Sequence, residues 1–178
     1  VTCRKAAKSF SSLASRLSKS LYLIMEKLIR NPWLFRLFLI RKLPLAWIAG
    51  LRVQHYAADS CTISLRYGYW TQNPFRSVYF AAMAMAAEMS TGLPALLLLR
   101  QRQKPASMLV TGLTATYGKK AVGKISFSFR NIEAMGKAID HAMESGEGVV
   151  FVAESIGTNQ QGEEVARFQI SWSFRRKG

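Results

Sequence analysis

Few residues in this chain are able to do chemistry, and one of them is out of place. From Val78 to Ala87 the sequence reads "VYFAAMAMAA" without a charge, and Glu88 then sets one carboxylate on what reads as a helix apolar on all sides. Burial disfavours a charged carboxylate and raises its pKa, which makes Glu88 a candidate general base or nucleophile. The plainer alternative is a glutamate near the end of the run that faces solvent or hydrogen-bonds a strand. Other chemistries lack their residues. His55 and His141 stand far apart, and His55, in an alternating segment, is expected to be a satisfied core or interface histidine. Cys3 and Cys61 show no CxxC spacing and no flanking histidine pair, so neither a metal site nor a disulfide framework is expected. GxSxG, HExxH, GxGxxG and GxxxxGK[ST] are all absent, and no cofactor is expected.

The elements that must position Glu88 fit within one domain: 178 residues, 49% hydrophobic, can bury a sizeable core. The formal net charge is +15, unevenly spread: residues 1–42 hold ten Lys or Arg against Glu26 alone. That segment reads as an extension. Phe10, Leu13, Leu17, Leu21, Ile24 and Leu28 recur at helical spacing until Asn31-Pro32 interrupts them. In "PWLFRLFLIRKLP" the charges at Arg36, Arg41 and Lys42 keep the uncharged runs far below the roughly 20 residues that span a bilayer. No signal-peptide cleavage pattern follows one continuous apolar core, and cysteine usage fits a reducing compartment, so a cytoplasmic protein, or one peripheral to a membrane, is expected. A basic amphipathic helix packs on its own domain, lies on an anionic membrane surface, or binds nucleic acid. No recognised nucleic-acid module follows, so nucleic acid is not the expected partner.

Beyond Gly50 the period becomes that of strands. Leu51-Val53-His55 and Cys61-Ile63-Leu65-Tyr67 alternate on either side of the turn Ala58-Asp59-Ser60, predicting an antiparallel pair. A central helix is expected over about 74–91, with Asn73 as N-cap and Pro74 as first helical residue, bent or interrupted by Gly92 and Pro94, and the apolar "ALLLLRQRQ" is expected to carry on as helix to Lys104-Pro105. Two strands around Tyr117-Gly118-Lys119-Lys120 suggest a hairpin, a helix over about 131–145 starts at Asn131, and two last strands flank a polar loop at 158–162. The small side chains of Ala81, Ala82, Ala84, Ala86 and Ala87 let strands approach the central helix closely. An α+β fold follows, a curved antiparallel sheet wrapped around a long central helix, with residues 43–178 as the domain and 1–42 as a helical extension.

Residues 43–92, "LPLAWIAGLRVQHYAADSCTISLRYGYWTQNPFRSVYFAAMAMAAEMSTG", resemble the opening of the hotdog-fold acyl-coenzyme A thioesterases of the phenylacetate-pathway type. Those carry a pattern close to N-P-x-G-x-x-H-G-G, then a helical Asp or Glu and a closing Gly. Asn73 and Pro74 match its start, Glu88 the acid and Gly92 the glycine, without a gap. Arg76 stands for the first Gly, and Tyr79, Phe80 and Ala81 replace His-Gly-Gly, as in a divergent branch lacking that motif.

The resemblance implies a thioesterase acting on acyl-coenzyme A or acyl-carrier-protein thioesters. Glu88 would be general base or nucleophile, and Asn73 would orient the acid or the water. Backbone N–H groups of Phe80 and Ala81 would form the oxyanion site. Arg76 would contact the carboxylate or a substrate phosphate, and Tyr79 would supply a hydroxyl where the family has an imidazole. A homodimer or dimer of dimers is implied. Two alternatives stand beside this reading: a hotdog protein that binds acyl-coenzyme A or fatty acid without turnover, and a membrane-surface protein acting through residues 1–42.

Overall fold

The computed structural model describes residues 23–102 and 106–177. In chain order these form a helical stretch over 23–30 (α1), α2 (Pro32–Lys42), α3 (Pro44–Ile48), β1 (Arg52–Tyr56), β2 (Cys61–Arg66) and α4 (Phe80–Gln101). There follow β3 (Ala106–Tyr117), β4 (Lys124–Phe129), α5 (Ile132–Ser145), β5 (Val149–Thr158) and β6 (Glu164–Arg176). The expected helix through Phe10, Leu13, Leu17 and Leu21 lies outside the described residues, as does Cys3.

Period-two alternation builds the sheet. Cys61, Ile63 and Leu65 of β2, Ile125, Phe127 and Phe129 of β4, and Phe168, Ile170, Trp172 and Phe174 of β6 all point into one core. The six strands pair antiparallel in the order β1-β2-β4-β5-β6-β3 and curve around α4, which gives the hotdog fold. At 22 residues α4 is long and apolar enough to cross a membrane by length and composition, but most of it is buried inside the protein. Polar ties fix it to the sheet: Ser90 Oγ lies 2.8 Å from Ser155 Oγ, and Trp172 Nε1 donates to Thr91 Oγ1 at 2.9 Å. Phe127 comes so close to β5 that a Cβ at Gly157 would sit 2.5 Å from its ring, so only glycine fits there. α5 buries Ile132, Met135, Ile139 and Met143, and Arg102 at the end of α4 pairs with Asp140 on it.

Three expectations differ from what is observed. The central helix starts at Phe80, not at about 74, since Arg76 has φ 57°, outside any helix; it runs through Gly92 and Pro94 without interruption, and the helix expected beyond Pro94 is its continuation to Gln101. β3 and β4 do not form a hairpin. β3 pairs with β6, β4 lies between β2 and β5, and the N–H groups of Gly118 and Lys119 bond the Val165 carbonyl. The turn residues at 117–120 bend the chain, while the pairing is set by burial: β4, strictly alternating, takes a central place and the more exposed β3 takes an edge. His55 is exposed on edge strand β1, not packed in the core. By contrast the β1–β2 and β5–β6 pairs form as expected.

Residues on both sides of position 42 share one core. Ile29, Phe35 and Leu39 are buried with Leu51, Ile63 and the residues around α4. Leu39→Ala should therefore destabilise the chain by about 2–5 kcal/mol, and Leu37→Ala, on the exposed side of the same helix, by less than about 0.5 kcal/mol. Urea unfolding of both variants checks the contrast.

Candidate functional site at the central helix

The loop that delivers the chain to α4 is built on Asn73. Its Oδ1 accepts from the N–H groups of Phe75 (3.0 Å) and Ser77 (3.2 Å), and its Nδ2 donates to Ser77 Oγ (3.0 Å). These are the bonds of an Asx turn. Asn73 thus caps a loop, seven residues before the helix begins at Phe80. Arg76 is the only non-glycine residue at positive φ among those described, and its side chain is exposed. Backbone bonds from Val78 N–H to the Ala121 carbonyl (2.8 Å) and from Tyr79 N–H to the Thr71 carbonyl (2.7 Å) anchor the loop's end. At the start of α4, the Tyr79 carbonyl accepts from Ala82 N–H and Met83 N–H. The N–H groups of Phe80 and Ala81 have no acceptor among the described residues, and no side chain caps them. Two free donors at the positive end of a 22-residue helix are suited to an oxyanion.

An open cavity of about 520 Å³ lies at the start of α4, lined by Asn73, Tyr79, Phe80, Met83, Tyr117 and Lys120 among others. The rings of Tyr79 and Phe80 meet edge to face at its rim, centroids 4.8 Å apart. Asn73, Tyr79 and Phe80 are thus brought together, whereas Arg76, Ala81 and Glu88 are not among the lining residues.

Glu88 lies two turns along α4, on the stripe Ala81, Ala84, Met85, Glu88 that the sheet leaves partly open. Burial raises its pKa above the ordinary glutamate value. Its carboxyl makes no hydrogen bond or ion pair among the described residues, to Arg76 or to any other cation. It is nevertheless not sealed off, because no described side-chain oxygen is both inaccessible and unpartnered. Gly92, one turn further, makes room for it: a Cβ there would lie 2.9 Å from Glu88 Oε1 and 3.2 Å from the Trp172 ring. Trp172 escaped the sequence reading, although its inward place between Ile170 and Phe174 in an alternating strand marks it as a residue facing α4. Cys61 offers no competing nucleophile, since burial pushes its thiol up to about 12.

At 1.5 Å rise per residue, the seven residues from Ala81 to Glu88 span about 10 Å. A base must lie within hydrogen-bond reach of the water it activates, next to the carbonyl whose oxygen the donors hold. The carboxyl and the free N–H groups of one chain are too far apart for that.

A family profile described as a domain of unknown function, DUF4442, matches residues 31–174. The chain belongs to this family. No functionally curated protein matches it in sequence. Solved structures similar to this DUF4442 chain include a Pseudomonas aeruginosa protein of unknown function described as a probable thioesterase. It is 21% identical with a TM-score of 0.67, over 83% of this chain and 97% of that one. A Chlorobaculum tepidum protein of unknown function is 16% identical with a TM-score of 0.70, over 86% and 95%. A Haemophilus influenzae thioesterase is 10% identical with a TM-score of 0.60, over 82% and 91%. At these identities the likeness establishes the fold.

The raised pKa of Glu88 has a consequence for stability. The folded chain holds this proton more tightly than the unfolded chain, so stability falls as pH rises from the ordinary glutamate range through the raised value, and stays lower above it. Glu88→Gln removes that penalty. Its urea midpoint should exceed the parent's at neutral pH, and the difference should close as pH is lowered below the ordinary carboxylate range.

Proposed function

We propose that this chain is a thioesterase acting on acyl-coenzyme A or acyl-carrier-protein thioesters, with Glu88 as its catalytic carboxylate. The observation that carries the reading is the carboxyl itself: unpartnered among the described residues, raised in pKa and set on the central helix beside a glycine that leaves it room. As general base, Glu88 takes a proton from water, and the hydroxide formed adds to the thioester carbonyl carbon. The C–S bond then breaks, and the proton passes from Glu88 to the departing thiolate, giving a carboxylic acid and a free thiol. As nucleophile, Glu88 would attack the carbonyl carbon directly and expel the thiolate, leaving an acyl anhydride for water to hydrolyse. Phe80 and Ala81 N–H groups hold the developing oxyanion, Asn73 fixes the loop that presents them, and Tyr79 offers its hydroxyl at the cavity rim. Arg76 and Lys120 suit the phosphates of coenzyme A or an acidic carrier. The register of Asn73, Glu88 and Gly92 supports the phenylacetate-pathway branch, and the likeness to solved structures described as thioesterases supports the activity.

The separation of about 10 Å within one chain favours a site shared by two copies. β3 supports this: it is a 12-residue edge strand, unpaired on one side among the described residues, that exposes Leu109, Val110, Leu113 and Tyr117. Two copies joined antiparallel along β3 would set their α4 helices in opposite directions and bring Glu88 of one toward the helix N-terminus of the other. Light scattering should show a dimer, or a dimer of dimers, and a monomer at every concentration would remove the shared site.

A free-thiol release assay over short, medium and long acyl chains tests the activity. Glu88→Gln should lower kcat by on the order of 10²-fold or more while acyl-coenzyme A still binds, and Asn73→Ala should lower it less. One observation favours a second reading, binding without turnover: side chains crowd the oxyanion donors where Phe80 and Ala81 replace the two glycines of the related motif. Measurable acyl-coenzyme A binding with no thiol release from any chain length would decide for it.

A further inference from the structure

The helices ahead of the sheet carry a surface that the proposed chemistry does not use. On α2, Phe35 and Leu39 are buried, one turn apart, while Trp33, Leu37 and Ile40 recur at helical spacing on the opposite side. That outer face is apolar too. Trp33 is 80% exposed and Leu37 50%, and α3 continues the surface with Leu45 at 69% and Ile48 at 43%. Apolar side chains gathered in this number on two adjoining helices mark a contact site, unlike scattered single ones.

The charge around the patch identifies its occupant. From Lys27 to Ala58 the sequence has no acidic residue and six cations, of which Arg36, Arg41 and Lys42 belong to α2 itself. Those three make no ion pair or hydrogen bond among the described residues. A second copy of the same face would bring like charges together around its apolar centre. An anionic bilayer satisfies both parts at once: tryptophan and aliphatic side chains enter the headgroup and acyl boundary while arginine and lysine stay at the level of the lipid phosphates.

We propose that the outer face of α2 and α3 is a membrane-contact surface that seats the protein on anionic lipid, with Trp33, Leu37, Ile40 and Leu45 inserted and Arg36, Arg41 and Lys42 at the phosphates. α2 lies in the interface plane and does not cross it, being 11 residues long. Phe35 and Leu39 hold it to the core, so the sheet and its central helix are carried to the membrane as one body.

The test is sedimentation of the full chain with vesicles of phosphatidylcholine alone and of phosphatidylcholine mixed with phosphatidylserine. Binding to the mixed vesicles at low salt, weakening as salt rises, is expected. The combined variant Arg36→Gln, Arg41→Gln, Lys42→Gln should lower partitioning by about two orders of magnitude. Leu37→Glu with Ile40→Glu should abolish it, with the urea midpoint unchanged because both side chains are exposed. Absence of binding to mixed vesicles at low salt overturns the proposal. So does binding that survives Leu37→Glu with Ile40→Glu, which would place the contact elsewhere in the chain. A dimer that this pair of substitutions dissociates, without vesicle binding, would assign the face to a second copy and overturn it equally.

Discussion

The structure depends on covering α4. A helix apolar around its circumference cannot leave any broad face in water, and 22 residues of it exceed what one neighbouring helix can shield. The sheet answers with inward rows from β2, β4, β5 and β6, and α5 packs against the helix as well. Small residues on α4 are what make close wrapping possible: Ala86 and Ala87 are wholly buried, and Ser90 and Thr91 reach Ser155 and Trp172 directly. These two polar contacts fix the helix against the sheet, where apolar packing alone tolerates small slips.

Glu88 takes its meaning from this constraint. The sheet covers α4 incompletely, and Glu88 lies on the stripe that remains partly open, near enough to the core to lose hydration and near enough to the surface to keep contact with water. A fully buried carboxyl would need a partner, and a fully exposed one would titrate as glutamate ordinarily does. Trp172 and Gly92 set the intermediate position, one by supplying an apolar wall and the other by lacking a side chain where the carboxyl sits.

How much of this was legible in the sequence depended on how local the cause was. Alternation revealed β1 and β2, the polar loop at 158–162 revealed the β5–β6 pair, and Asn131 revealed the start of α5, because each signal is local to one element or one turn. The pairing of β3 with β6 was not legible, since turn residues at 117–120 report a local bend and not which distant strand competes for the edge. The start of α4 was misplaced for a related reason. Asn-Pro carries the signal of a helix N-terminus, but the same Asn73 oxygen closes a loop equally well, and Arg76 in the left-handed region shows which alternative prevailed. Within the candidate site, the resemblance marked Glu88, Asn73, Gly92 and the N–H groups of Phe80 and Ala81, while the place of Trp172 beside Gly92 depends on contacts made across the fold.

Arg76 links the loop to the chemistry. A side chain in the left-handed region costs about 1–2 kcal/mol relative to the usual conformation, and glycine occupies the matching place in the motif this loop resembles. Here the conformation survives the loss of glycine because Asn73 holds the residues on either side of Arg76, through Phe75 N–H and Ser77 N–H, and the bonds to Thr71 and Ala121 hold the loop's far end. A helix begun at Pro74 would have consumed the N–H groups of Phe80 and Ala81 in its own ladder, since every residue past the first turn donates to the carbonyl four positions back. With Arg76 in the left-handed region the chain is not helical before Phe80, and this late start leaves the two donors free at the head of α4.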